Sequence, residues 1–429
     1  MRNVYKGGAA LISAALLLSA CGGGSDSAAS SDPNAKVQLT WWHNGVDDPL
    51  KSYFQTVADQ YTAAHPNVTF KIEPIQNESI QTKITVGLQS NDPPDIFQQW
   101  GGGDLGSQVE SGKVQDITTA TKSVADAMGA SAGGWQVDGK QYGIPFSLGV
   151  VGFWYRTDLF KQAGITAAPT TVDELNADVL KLKQKNIQPI ALGGKDKWPD
   201  AFYWGYFATR ECSQAVLQQS TKDVKFTDPC FLKAGQDLQT FLATKPFQNG
   251  FLGTPAQTGA GSAAGQLANG KSAMELMGHW ESGVVGGLTP DKKPLGDKLG
   301  WFPFPAVSGG AGDPKAAFGG GDGFSCSVKA PPACGDFLAF LLTKENQDKF
   351  GQTGAGLPVT PGTQDSVSDS SLQATLKFRN DAPFVELYFD KALPTAVGGA
   401  LNDEISNLFA GKSSPDKIVK AVADAAANE

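Results

Sequence analysis

The chain has 429 residues and a formal charge of −8 at neutral pH, from 35 Lys and Arg against 43 Asp and Glu. That length exceeds the roughly 250–300 residues at which single cores stop growing, so two domains are expected. The acidic balance argues against a nucleic-acid binder and against docking on anionic lipid through a basic patch.

Arg2 and Lys6 give a positive start, Ala9 to Leu18 a short apolar stretch, and small residues precede Cys21. This is the pattern of a secretory signal over residues 1–20. The stretch is shorter than the roughly 20 apolar residues that span a bilayer. The run Leu18-Ser19-Ala20-Cys21 resembles the lipobox of bacterial lipoproteins, which implies that Cys21 becomes the lipidated first residue of the mature chain. Gly22 to Ser31 is polar and glycine-rich, so residues 21–36 read as a lipidated flexible tether. Removing residues 1–20 leaves 409 of the 429, and losing Arg2 and Lys6 takes the charge from −8 to −10. The expected location is extracytoplasmic and lipid-anchored at the cell membrane, with no other membrane attachment.

Five cysteines minus Cys21 leave Cys212, Cys230, Cys326 and Cys334, an even number in an oxidising compartment, where disulfides form. Three connectivities are open. The spacing favours two local bridges, Cys212–Cys230 and Cys326–Cys334, and no CxxC spacing suggests a metal or redox site.

Along the body, Val37 to Trp42 has strand composition and Leu50 to Ala64 helical spacing. Val68 to Ile72 alternates as a strand does, Ser79 to Ser90 returns to helix, and Asp95 to Phe97 resumes strand. Such alternation marks an α/β fold with a parallel sheet. Val137 to Pro145 reads as a hairpin tipped by Asp138-Gly139. The alternation restarts with a strand over Val150 to Tyr155. Thr171-Val172-Asp173-Glu174 is a capping box opening a helix to about Lys185, and a strand follows over Gln188 to Leu192. Asp200 to Leu242 reads mostly as helix, Gly250 to Gly265 as a loop, and further helices are expected at Ala333–Leu342, Lys344–Phe350, Asp369–Asn380 and Leu393–Gly411.

Gly265-Gln266-Leu267-Ala268-Asn269-Gly270-Lys271-Ser272 satisfies the phosphate-loop expression GxxxxGK[ST]. That loop functions only between a strand and a helix, with its amides facing the phosphates. Here a helix over Ala263 to Ala268 precedes a strand over Ala273 to Met277, and the inverted order argues against nucleotide binding.

The nine tryptophans are more informative. Trp41, Trp42, Trp100, Trp198, Trp204 and Trp280 stand beside glycine and short polar residues, where an aromatic face serves a ligand with apolar faces and polar edges. A sugar is such a ligand. Only Arg156, Arg210 and Arg379 remain after the signal, and sites for carboxylate or phosphate favour Arg forks, so a neutral ligand fits better. The three histidines show no metal spacing, and no cofactor is expected.

The runs Pro94 to Trp100, Gly112 to Thr118, Tyr142 to Pro145 leading into Trp154 to Phe160, Gly270 to Met274 with Gly278-His279-Trp280, and Gly319 to Phe324 resemble, in this order, a known family. It is the extracellular solute-binding proteins of bacterial ABC importers, in the carbohydrate-binding branch that includes maltose-binding protein. The resemblance implies a type II periplasmic-binding-protein-like fold of two α/β lobes with a ligand cleft between them. It places residues 37–145 and 316–362 in an N-terminal lobe and 146–315 and 363–429 in a C-terminal lobe. It implies no catalysis: a monomeric receptor would close on a neutral mono- or oligosaccharide and deliver it to the permease. Family loops that line the cleft match His43, Asn44, Trp100, Asp104, Trp198, Trp204, Trp280, Gly320, Gly321 and Asp322, with Trp280 the best-matched stacking residue. The chain departs from maltose-binding protein around Gly101 to Asp104, so maltose is not implied. The rival is a lipid-anchored glycoside hydrolase, which needs two carboxylates about 5–9.5 Å apart across the scissile bond. Asp104, Glu281 and Asp322 are its candidates.

Overall fold

The computed structural model describes residues 36–428, so the signal, Cys21 and most of the tether lie outside the described residues. The body opens as β1 (Val37–His43), α1 (Leu50–Ala64), β2 (Val68–Pro74), α2 (Asn77–Gln89) and β3 (Ile96–Gln99). β2 and β3 both run parallel to β1, as the alternation of strand and helix patterns predicts. α3 (Gly102–Glu110) and α4 (Thr118–Met128) follow, then the short hairpin β4 (Gln136–Val137) and β5 (Lys140–Gln141), and β6 (Gly143–Val150).

The strand expected over Val150 to Tyr155 is divided. β6 ends at Val150 and β7 begins at Gly152 and runs to Arg156, in a different sheet. Gly152 permits the switch, because a Cβ there would lie 2.4 Å from the Trp301 ring. α5 (Thr157–Gln162), α6 (Val172–Gln184), β8 (Gln188–Ala191), α7 (Trp198–Glu211), α8 (Gln214–Asp223) and α9 (Pro229–Ala243) come next. Thr171 and Glu174 form the expected reciprocal capping box at the start of α6. α10 (Ala263–Ala268) precedes β9 (Ser272–Met277), and Gly270 between them has φ +67°. The phosphate-loop letters thus span a helix end and a strand start, the reverse of what phosphate binding requires.

The chain continues through α11 (Glu281–Leu288), β10 (Leu299–Phe302), β11 (Ala317–Cys326), α12 (Ala333–Leu341), α13 (Lys344–Gln352) and α14 (Ser370–Asp381). It ends with β12 (Val385–Leu387), α15 (Phe389–Ala392), α16 (Thr395–Phe409) and α17 (Pro415–Ala426).

Two sheets organise these elements. The first has the order β12-β11-β3-β1-β2, with β6 also paired to β11; the second has the order β10-β7-β9-β8. The first sheet is apolar on both faces: Leu39, Trp41, Phe54 and Phe337 share one cluster, and Ile80, Ile84, Phe97 and Leu105 another. The second sheet packs Phe153, Trp154 and Leu276 with Tyr203, Trp204 and Leu238 of the surrounding helices. β6 runs five residues past position 145 within the first sheet, and β12, late in the chain, pairs there with Ala317–Gly319 of β11. The sulfurs join as Cys212–Cys230 and Cys326–Cys334, the two local bridges that spacing favours.

Candidate functional site

Parallel strands share an edge. β1 ends at His43 and β3 at Gln99, so Asn44 and Trp100 emerge together, and antiparallel β11 brings Gly321 and Asp322 beside them. In the second sheet β8 and β9 also run parallel, and the chain leaving their carboxyl ends reaches Trp198 and Trp280. Ligands of open α/β sheets gather at such carboxyl ends. Here residues from both edges line one cavity of about 350 Å³, within the usual range for a small-molecule site.

Trp198 and Trp280 supply its aromatic side, with ring centroids 6.4 Å apart and planes at 59°. Both are half-buried. Trp280 folds back over Gly278, where a Cβ would stand 2.3 Å from the ring, so glycine is required for that pose. Trp198 opens α7 directly after Lys197, which holds φ +64°, an uncommon conformation outside glycine.

The first sheet supplies the polar side. Oδ1 of Asp322 accepts from Gln98 Nε2 at 2.8 Å, Trp100 Nε1 at 3.1 Å and Asn44 Nδ2 at 3.5 Å. Burial pushes the Asp322 carboxyl up to about 6, and hydrogen bonds from Asn44, Trp100 and Gln98 hold it from rising further. It is ionised at neutral pH, an acceptor for hydroxyl donors.

Of the ten binding residues expected from sequence, Asn44, Trp100, Trp198, Trp280, Gly321 and Asp322 border this cavity. The other four do not. His43 is fully buried against Trp41 and Phe54, its Nδ1 accepts from the Gly45 amide, and burial pushes its pKa down to about 3. Trp204 is core: it packs nearly parallel to Phe226 and Phe231 at 5.9 and 6.1 Å. Asp104 borders a separate chamber of about 230 Å³ and accepts from Thr395 Oγ1 at 2.5 Å. Gly320 lies under Tyr388, whose ring would be 2.6 Å from a Cβ there.

Among the other tryptophans, Trp41 is core and Trp42 meets Lys83 on a different surface. His279 is buried, its pKa pushed down to about 3 by burial, and its Nε2 pairs with Ser147 Oγ at 2.8 Å. Ser147, Glu78, Lys195, Lys197 and Lys391 line the cavity without having been singled out from sequence. Lysine and glutamate ordinarily face solvent, and a lone serine in a strand carries no signal, so nothing local in the sequence marks them.

None of Arg156, Arg210 and Arg379 borders the cavity. Arg156 pairs with Asp158, Arg210 donates to the carbonyls of Phe304, Pro305, Asp313 and Ala316, and Arg379 donates to that of Leu148. Of the three carboxylates a hydrolase would draw on, only Asp322 reaches the cavity. Glu281 is fully buried, with both oxygens withdrawn from solvent.

The pattern for bacterial extracellular solute-binding proteins matches residues 47–348. The chain belongs to that family. This solute-binding protein is 25% identical over 392 residues to an ABC transporter extracellular-binding protein of Pyrococcus horikoshii, covering 87% of this chain and 83% of that one. It is 24% identical over 395 residues to the diacetylchitobiose-binding protein DasA of Streptomyces coelicolor, covering 90% and 85%. A solved chitin oligosaccharide binding protein superimposes with a TM-score of 0.80 at 26% identity, over 91% of this chain and 98% of that one. The solute-binding protein thus has the two-lobed architecture expected from sequence, and its relatives are binding proteins, not enzymes.

Proposed function

We propose that this solute-binding protein captures a neutral mono- or oligosaccharide between its lobes and presents the closed form to the membrane subunits of an ABC importer. The observation that carries the reading is one cavity with two indoles on one side, a hydrogen-bonded carboxyl on the other, and no arginine. Sugars offer C–H faces to rings and hydroxyls to carboxylates and amides, and need no Arg fork. Two relatives named for binding chitin-derived sugars support the ligand class.

In this reading residues 37–145 and 316–362 form the first lobe and 146–315 and 363–429 the second, with β6, β11 and β12 as the crossing region. Sugar shifts the lobes toward closure only through its greater affinity for the closed form. Residues 1–20 act as a secretion signal, Cys21 carries the lipid, and the protein acts as a monomer tethered to the membrane's outer face.

A thermal-shift screen of mono- and oligosaccharides, followed by product analysis of the hits, tests the proposal. A sugar at 100 times its dissociation constant stabilises by about 2.7 kcal/mol. Absence of any shift with neutral sugars refutes the ligand class, and cleavage above background refutes the receptor role. Incorporation of labelled fatty acid into the expressed precursor, lost in Cys21→Ser, tests the anchor.

A further inference from the structure

Lys391, on α15, is the cavity's least expected member. Its side chain is 9% exposed, its Nζ lies 4.8 Å from the centroid of the Trp100 ring, and the nearest carboxylate oxygen, Asp390 Oδ2, is 4.0 Å away. That is beyond hydrogen-bond length, and Nζ makes no hydrogen bond to any described residue. The ammonium lines the cavity with no acceptor from the protein, so its N–H donors are free for an oxygen of a bound molecule.

The geometry also says what stands on the other side of the indole. The face of Trp100 meets the Lys391 ammonium while its edge N–H donates to Asp322 Oδ1. The ring therefore holds a cation and an anion apart on one wall, where they form no ion pair with each other. All three donors to Asp322 converge on Oδ1 and none reaches Oδ2. With Lys391 beside one face, Trp100 is a spacer for charges more than a stacking platform, which leaves that task to Trp198 and Trp280.

We propose that Lys391 is a ligand-contacting, specificity-determining residue: its ammonium donates to an acceptor oxygen of a neutral glycan while a hydroxyl of the same glycan donates to Asp322 Oδ2. The inference rests on the carbohydrate reading above and adds to it the residue that pairs with Asp322 in reading the sugar's acceptor and donor groups. A neutral polyol supplies acceptor and donor together. A sugar acid gains from Lys391, and Lys195 and Lys197 also line the cavity, but its charge would meet four carboxyl groups there, Glu78, Asp196, Asp322 and Asp390, of which Asp322 shares the Trp100 wall. Lys391 and Trp100 border both the cavity and the 230 Å³ chamber that holds Asp104.

The test is calorimetric titration of the mature chain with whichever of N,N′-diacetylchitobiose, xylobiose, maltose and lactose raises its melting temperature most, and with digalacturonate as the anionic probe. Lys391→Met is expected to weaken the neutral sugar about ten- to hundredfold, the usual range for a lost charge-assisted hydrogen bond, with the unliganded melting temperature unchanged. Lys391→Arg, which keeps the cation, should retain more affinity than Lys391→Met. If Lys391→Met lowers the unliganded melting temperature, the Lys391→Arg and Lys391→Gln pair decides, with Arg expected to bind and Gln to fail. Wild-type affinity in Lys391→Met overturns the proposal, as does tighter binding of digalacturonate than of every neutral sugar. If no sugar binds the wild type, the carbohydrate reading itself fails, an outcome distinct from binding that ignores Lys391.

Discussion

Stacking at the cavity rests on two indoles, and they are not equivalent. Trp280 is set by the glycine beneath it and is only partly buried at the cavity wall, so removing its ring takes away mainly ligand-contact area. Trp280→Ala is expected to weaken sugar binding about tenfold or more while changing the unliganded melting temperature little, as titration and thermal unfolding will show. Trp204→Ala should do the opposite, costing about 3–5 kcal/mol of stability, because Trp204 lies between phenylalanines in the core.

Asp322 gives the site a pH dependence. Its carboxyl is raised by burial to about 6, so the ionised acceptor is present above that pH and is lost below it. Affinity measured from pH 8 to 5 should hold and then fall through about pH 6, and Asp322→Asn should bind more weakly with a flat profile.

Glu275 and Glu281 act on stability instead. Burial raises both, and neither has a cation partner among the described residues. A carboxyl raised in the folded state favours folding most below its unfolded value and loses that contribution as pH rises through its folded one. Glu281→Gln should therefore raise the melting temperature at pH 8–9 relative to wild type and change it less at pH 5. These residues also mark where sequence reading stops. Tryptophan beside glycine identified three cavity indoles but also admitted Trp41, Trp42 and Trp204, because burial depends on partners distant in the chain.

At the scale of elements, periodicity found most helices and the parallel strands. The capping box predicted the start of α6 to the residue, since its two hydrogen bonds are local. β11 is not legible as a strand in the sequence, because Gly319, Gly320, Gly321 and Gly323 give it no β-branched pattern. Their absence of side chains serves contact: a Cβ at Gly319 would lie 2.3 Å from the Gly149 carbonyl oxygen. The division between β6 and β7 was likewise invisible, because one continuous apolar run serves two sheets and only the third dimension separates them. The bridge between Cys212 and Cys230 closes a sequence separation of 18, which by loop entropy contributes about 3 kcal/mol. Replacing both cysteines with alanine should lower stability by about that amount in denaturant titration while leaving sugar affinity near wild type, since neither borders the cavity.

For the whole molecule, the order of motifs along the chain carried the family and the two-lobed fold, because short segments keep their order even where identity with relatives is about 25%. The ligand did not follow from that order, since it depends on which side chains meet across the cavity. If closure on sugar is the working motion, small-angle scattering should show a fall in radius of gyration on adding a saturating neutral sugar. Moving the closed-to-open ratio from 1:99 to 99:1 takes a differential affinity of about 10⁴.

The Trp198–Trp280 pair has an optical consequence. Two indoles with centroids 6.4 Å apart at 59° are near enough and tilted enough for their transitions to couple, giving an exciton signature in circular dichroism. A sugar seated against them would also alter the water around their excited states. The protein thereby contains its own chromophoric reporter, readable without a dye, and Trp198→Phe should erase the coupled signal while leaving the emission of the buried tryptophans in place.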